Sequence, residues 1–293
     1  FLLFSVLILA VVLGGTFRYL YKQAVVAVGQ RFADDFEAGR AAAWSLMKLR
    51  LDNLSDKVQV IAKAPQIRPL LETEGVDYAT IQYSFADFKE SLGSDMLIVS
   101  SSDGRVKYWA DKPGYSGKSI RNWPIVQDAM QSKRAWGIHV VDSSLIMLAA
   151  VPVYSAEQGS LNAILLAGHR IDDKITDEIK RISSMEVVFT HSTRIKASTL
   201  INRDRNALEQ SIRPATLTDG HNEDVDIRGE IWRCGFASLP GEPGVGMLFL
   251  NSKDKVLYES LSPIKRAIGV TAVLGFVVSF MLSFLYSRNQ SKP

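Results

Sequence analysis

At 293 residues and 47% apolar content, the chain is long enough to bury a full core. Its net charge of +3 is small and scattered, with no basic stripe interleaved with aromatics, which argues against a nucleic-acid partner. The single cysteine, Cys234, cannot form an internal disulfide and has no metal-ligand companions; in the alternating run IWRCGFA it reads as a small buried hydrophobe.

Residues 1–17, FLLFSVLILAVVLGGTF, carry no charge. A bilayer core needs roughly 20 apolar helical residues, with a lower limit near 17, so this run predicts a first membrane span. The competing reading is a cleaved signal peptide. Its apolar region is shorter, about 7 to 15 residues, and Gly14-Gly15-Thr16 is a weak cleavage site. Residues 18–64 predict a long stalk helix. Met47, Leu51, Leu54, Val58 and Ile61 step by four and three, the period of a coiled-coil seam, and Val25, Val28 and Phe32 begin the same stripe. Such a helix reaches about 65 Å at about 1.5 Å per residue, so it runs beside both following modules or pairs with a second copy. Pro65 and Pro69 end it.

A first module is expected over 65–170. A short helix at 78–91 precedes an apolar, β-branched strand at 95–101 and a second strand at 106–110. The Asp103-Gly104 turn between them is a strong hairpin signal. A loop with Pro113, Gly114 and Gly117 leads into a helix at 124–132, then strands at 135–142, 145–154 and 163–170. Together these predict a five-stranded antiparallel sheet with helices on one face. A second, smaller module follows over 171–252: a helix at 172–183 with Ile171, Ile175, Ile179 and Ile182 in one stripe, a strand at 185–190, a helix at 203–213, and strands at 225–239 and 245–251. No exact sequence repeat is visible, so the duplication is one of pattern. Residues 253–267 read as a connecting helix. Residues 268–286, IGVTAVLGFVVSFMLSFLY, are again uncharged and predict a second membrane span, leaving 287–293 as the start of a cytoplasmic linker. Arg18 and Lys22 follow the first span, Lys265 and Arg266 precede the second, and Arg288 and Lys292 follow it, so the charges near the spans nearly cancel. Placing the central part outside therefore rests on architecture. The expected fold class is α+β: a long N-terminal helix and two modules of antiparallel sheet flanked by helices, bounded by two transmembrane helices.

This order resembles the double Cache, PAS-like extracytoplasmic sensors of bacterial receptors. The resemblance is carried by residues 97–106, LIVSSSDGRV; 117–130, GKSIRNWPIVQDAM; 136–138, WGI; 149–154, AAVPVY; and the glycine-marked strand ending at Gly168. It covers about 18–267. In that family the same order gives the hairpin, pocket helix and meander of the membrane-distal module. The tail SRNQSKP is similar to the start of a HAMP linker, although the usual aliphatic residue before the proline is missing. The resemblance implies a two-pass protein of the bacterial inner membrane, with a periplasmic central domain, a small-molecule ligand and a homodimer. It also implies an output part beyond Pro293: a histidine kinase, a nucleotide or diguanylate cyclase, or a methyl-accepting chemoreceptor. A membrane-anchored enzyme and a scaffold are the alternatives.

Chemistry within the chain itself is sparse. The four histidines, His139, His169, His191 and His221, include no i, i+4 pair of the kind that holds a metal on a helix. His139 and Asp142 lie three apart on one predicted strand, which puts their side chains on opposite faces. The acidic run 219–226, DGHNEDVD, lacks calcium-loop spacing and reads as a solvated loop. No catalytic residue, metal or cofactor is expected. The richest patch is 108–136, with Tyr108, Trp109, Tyr115, Arg121, Trp123 and Trp136, and His139 just beyond. Aromatic walls with a few fixed polar groups suit a small ligand, and Arg121 suits a carboxylate. The ligand-site expectation is therefore Tyr108, Tyr115, Arg121, Trp123, Trp136 and His139, set against the plainer reading that these aromatics fill the core beneath the loop.

Overall fold

A computed structural model describes residues 2–72, 78–131, 133–155 and 159–290, with most side chains of 2–13 and 268–290 outside the description. Helix α1 (Leu2–Ala62) is followed by α2 (Ile67–Glu72) and α3 (Tyr78–Leu92). Then come β1 (Met96–Ser101), β2 (Val106–Trp109), α4 (Pro124–Met130), β3 (Ala135–Val141), β4 (Ser144–Tyr154) and β5 (Leu161–Arg170). The second half holds α5 (Asp173–Ser183), β6 (Glu186–His191), β7 (Arg194–Ser198), α6 (Asn202–Ser211), β8 (Asn222–Ile227), β9 (Glu230–Ser238), β10 (Val245–Ser252) and α7 (Lys253–Gln290). The two apolar terminal runs fall in α1 and α7, largely among residues whose side chains lie outside the description. Among the described residues no helix is long and apolar enough to cross a membrane.

Two five-stranded antiparallel sheets form, ordered β2-β1-β5-β4-β3 and β7-β6-β10-β9-β8. The orders are the same: a hairpin, a crossover helix, then a meander whose last strand lies beside the first strand of the hairpin. The duplication expected from pattern is thus a duplication of topology, and the second module is not smaller in strand number. Sequence reading missed β7 and merged β8 with β9. The β8–β9 reversal uses Arg228 at φ 60 and Gly229 at φ 83, and the β6–β7 reversal uses Ser192 at φ 54, neither with the Asn-Gly or Asp-Gly signature. Part of the acidic run expected as loop is therefore edge strand β8.

The chain divides into two compact units. The larger, residues 38–229 and 233–251, holds both sheets apart from the start of β9 and the last residue of β10. In its first sheet, side chains alternate between two cores. Leu97, Val99, Ala149, Val151, Ala163 and Leu165 face Leu54, Val58 and Ile61 of α1, Ile67 and Leu71 of α2, and Phe85 of α3. Ile98, Ile146, Leu148, Ala150, Ile164 and Leu166 face the other way, toward Ile125, Val126 and Ala129 of α4. Helices therefore cover both faces, where one was expected, and β5 is buried on both sides. Met47, Leu51, Leu54, Val58 and Ile61 are all buried within the chain. The seam that resembled a coiled coil is spent on the protein's own core.

Asp172 caps α5, accepting a hydrogen bond from the Ile175 amide at 3.1 Å, and Ser184 ends that helix in the left-handed conformation. Ile171, Ile175 and Ile179 are buried as expected, but Ile182 is exposed. Arg50 of α1 pairs with Glu178 of α5, and Gly39 lets α1 close on the end of α5, since a Cβ there would lie 2.6 Å from the Ser183 carbonyl oxygen. In the smaller unit, the Ser252 hydroxyl accepts from the Lys255 amide at 3.0 Å, and Asp254 accepts from the Ile231 amide at 2.8 Å, tying the start of α7 to β9.

Candidate ligand site

The aromatic patch is sorted by one extra residue in β2. Ile98 pairs with Trp109 and Val99 with Tyr108, but Ser100 pairs with Val106, leaving Lys107 as a bulge. Strict alternation from Val106 would put Tyr108 on the α4 face and Trp109 on the α1 face. The bulge reverses both. Tyr108 joins the α1–α3 core, its ring 5.6 Å from that of Phe85, and Trp109 joins the α4 core beside Tyr115 and Trp123. Lys107 reaches out of the bulge to the Leu71 carbonyl at 3.1 Å.

Residues 110–123 form a strap over this face. The strap is sewn to the β1–β2 hairpin by backbone bonds: Val106 N–H to Lys118 O (2.9 Å), Gly117 N–H to Val106 O (2.8 Å) and Ile120 N–H to Gly104 O (2.9 Å). Gly104, at φ 83, permits the approach, because a Cβ there would meet Arg121 at 2.9 Å. Beneath the strap, Trp109 is only 2% exposed. Its ring makes edge-on contacts with Tyr115 at 4.8 Å and Trp123 at 6.2 Å. Lys112 places its ammonium 4.8 Å from the Trp109 ring and 5.1 Å from Tyr115, and Lys118 sits 4.1 Å from Tyr115. Lys112 also pairs with Asp142, in the β3–β4 turn at φ 48, so the strap is tied to the opposite edge of the sheet.

The six expected site residues are therefore not one constellation. Tyr115 and Trp123 come together, with Trp109 as their floor. Arg121 lies on the strap with its side chain exposed. Tyr108 is on the α1–α3 side, and half-buried Trp136 packs on that same core. Trp136 also lines a surface cleft of about 380 Å³ with Asp128, Lys133, Arg134, Ala135 and Pro240. His139 is buried on β3, on the face shared by Ala135 and Val141. Its Nε2 has no hydrogen-bond partner among the described residues. Burial holds its pKa below the usual imidazole range, against the opposing pull of Glu242. His169 is lowered likewise by burial, with Asp95 opposing and Lys57 and Arg50 assisting. The thiol of Cys234 is pushed up to about 12 by burial, with Glu223 adding to the shift. Sequence reasoning missed Lys112 and Lys118, and weighed Asp142 only as a partner of His139. The only signal for the two lysines was basic residues spaced among the strap's aromatics. Among the described residues no group of three or more His, Cys, Asp or Glu side chains could hold a metal ion.

Comparison of the whole fold with solved structures places this arrangement. The sensor domain of the histidine kinase DctB from V. cholerae matches with a TM-score of 0.55 at 10% identity, over 76% of this chain and 98% of that one. The periplasmic domain of LuxQ from Vibrio cholerae matches with a TM-score of 0.50 at 15% identity, over 74% of this chain and 99% of that one. The fold is that of double Cache, PAS-like sensor domains. The sensory domain of the Campylobacter jejuni chemoreceptor Tlp3 with isoleucine bound shares it, with a TM-score of 0.50 at 11% identity over 82% of this chain and 97% of that one. No protein-family model and no curated protein matches the sequence. At these identities the double Cache likeness is one of fold.

Proposed function

We propose that the chain is the ligand-sensing and signal-transmitting part of a bacterial membrane receptor. The observation that carries this is a sensor-type double sheet preceded and followed in the chain by helices that hold uncharged segments, α1 at residues 2–17 and α7 at residues 268–286. Along α7, Val270, Val273, Leu274, Val277, Val278 and Met281 are exposed, a surface suited to lipid. In this reading both segments cross the inner membrane, residues 18–267 lie in the periplasm, and 287–293 begin a HAMP-type linker. A kinase, cyclase or chemoreceptor output follows Pro293, and the residues present do no catalysis. A homodimer along α1 would use faces other than the buried seam, where Leu49 is 56% and Val60 72% exposed.

The ligand binds under the strap. Three rings supply an apolar lining, and Lys112, Lys118 and Arg121 favour an anionic group, so a small carboxylic acid with an apolar body is the class that fits. The isoleucine held by the Tlp3 domain has both features. Binding competes with the Lys112–Asp142 tie, and a ligand biases the strap only by its differential affinity for tied and untied states, typically about 1–3 kcal/mol.

Two experiments test this reading. The full chain in lipid nanodiscs is screened by thermal shift against amino acids, dicarboxylates and alkylamines. A ligand at about 100 times its Kd stabilises by about 2.7 kcal/mol, and Tyr115→Ala or Arg121→Ala should abolish the shift. A panel with no stabilising acid, or a shift indifferent to both variants, refutes the site. For topology, Tyr83, which is 81% exposed, is replaced in a Tyr83→Cys variant and intact cells are treated with a membrane-impermeant maleimide. Buried Cys234 gives no background; absence of labelling refutes the periplasmic placement.

A further inference from the structure

The strand at the far edge of the first sheet, β3, does not end in solvent. The turn between β9 and β10 reaches across from the second sheet and pairs with it. The Ile138 N–H donates to the Pro240 carbonyl at 2.7 Å, and the Glu242 N–H donates to the Ile138 carbonyl at 2.9 Å. These two bonds make a parallel bridge between Ile138 and Gly241. A third bond comes from a side chain: the Val140 N–H donates to Glu242 Oε2 at 2.6 Å. The other oxygen of that carboxylate lies 4.0 Å from His191 Nε2 on β6, so Glu242 faces both sheets.

Two glycines make the approach possible. Gly241 has φ 118, and a Cβ on it would collide with the backbone of Ile138. Gly137 faces it, and a Cβ there would lie 2.7 Å from Gly241 Cα and 2.9 Å from the Pro240 carbonyl oxygen. On the β3 side Gly137 and Ile138 are buried, whereas on the turn side Gly241, Pro243 and Gly244 are exposed. What the closeness achieves is to satisfy outward-facing amides of an edge strand with groups from another sheet. Against the seven paired positions joining β3 to β4, the contact is small. It can part without unravelling either sheet. From this turn β10 runs straight to the start of α7.

We propose that the Pro240–Glu242 hook on β3 is a reversible joint, by which a displacement of the first sheet is handed through β10 to α7 without travelling along α1. Closed, the joint holds the two edges in register. Opened, β3 regains a free edge and the β9–β10 turn is released. This goes beyond the sensing proposal and does not rest on it.

Reciprocity is the test, because a coupling between two sites acts equally in both directions. Hydrogen exchange is measured at Ile138, Val140 and Glu242 in the full chain in nanodiscs, with Leu165 and Leu248 as reference amides in the two sheet centres. Glu242→Ala, a change in the second sheet's turn, should speed exchange at Val140 and Ile138 by about 10-fold or more. Gly137→Ala, a change in the first sheet, should speed exchange at Glu242 by a similar factor. In both variants Leu165 and Leu248 should stay as slow as in the parent chain. The joint is refuted if either variant affects amides only on its own side. It is also refuted if the reference amides accelerate equally in the milder Glu242→Ala variant, since the contact would then be inseparable from global unfolding. No ligand enters the experiment, so its outcome is independent of whether the strap binds one.

Discussion

Replacing Trp109 by alanine tests how the sheet face beneath the strap is built. The indole is almost wholly buried, so its removal exposes a void lined by Tyr115, Trp123 and the α4 core. A buried tryptophan covers about 150–250 Å², worth about 4–6 kcal/mol at about 25 cal/mol per Å². That figure is an upper bound, because the unfolded chain already buries some of this area. Two edge-on ring contacts add about 0.5–1.5 kcal/mol each. Measured truncations of this kind cost about 3–5 kcal/mol, and partial collapse of the strap side chains into the void favours the lower half of that range. For a body of this size, each kcal/mol lowers Tm by about 2–4 °C, so Trp109→Ala should melt about 6–16 °C below the parent chain. The assay is thermal unfolding followed by near-ultraviolet circular dichroism. A fall of less than about 2 °C would mean that the ring does not pack there and that the bulge does not turn Trp109 toward α4.

Three further outcomes are expected. Deleting Lys107 should leave Trp109 on its present face and cost little, because the deletion removes the bulge without shifting the partners on either side; a loss as large as that of Trp109→Ala would refute the register. Cys234 should resist a thiol-reactive disulfide reagent at pH 8 until the chain is unfolded, since a thiol near 12 is ionised to only about one part in ten thousand there. Stability should fall as pH drops below about 6.5, because unfolding releases His139 and His169 to take up protons that the folded chain resists. The contribution is complete above that pH and is lost progressively toward the native values, at no more than about 1.4 kcal/mol per pH unit for each histidine. His139→Phe should flatten this acid limb in denaturant titrations, and an unchanged slope would count against its burial.

Much of the first sheet was legible because its signals are local. The Asp103-Gly104 turn, the apolar run of β1 and the long meander strands each announce themselves within ten residues. The buried stripe from Met47 to Ile61 was equally plain in spacing, but spacing alone does not say what covers it. Sheet and coiled-coil partner present the same apolar face to a helix, so the seam was open to both readings. The second sheet was harder. Its reversals at Ser192 and at Arg228-Gly229 lack the Asn-Gly or Asp-Gly pair that marks a tight hairpin, and β8 is an edge strand whose charged side chains look like loop. At the candidate site, density of aromatics was readable but sidedness was not. A single bulged lysine decides which face Tyr108 and Trp109 occupy, and no periodicity rule anticipates it. Trp136 and His139, close in sequence, were separated by simple alternation on β3.

In each half of the protein the strand that leaves the sheet is its middle one: β5 lies between β1 and β4, and β10 between β6 and β9. An exit strand at the rim could slide against a single neighbour and absorb a disturbance as slippage. One clamped on both flanks has no such slack, because moving it lengthwise shears two ladders together. A disturbance of the second sheet is therefore taken up by β10 as a bend of the strand and not as a slide along its length.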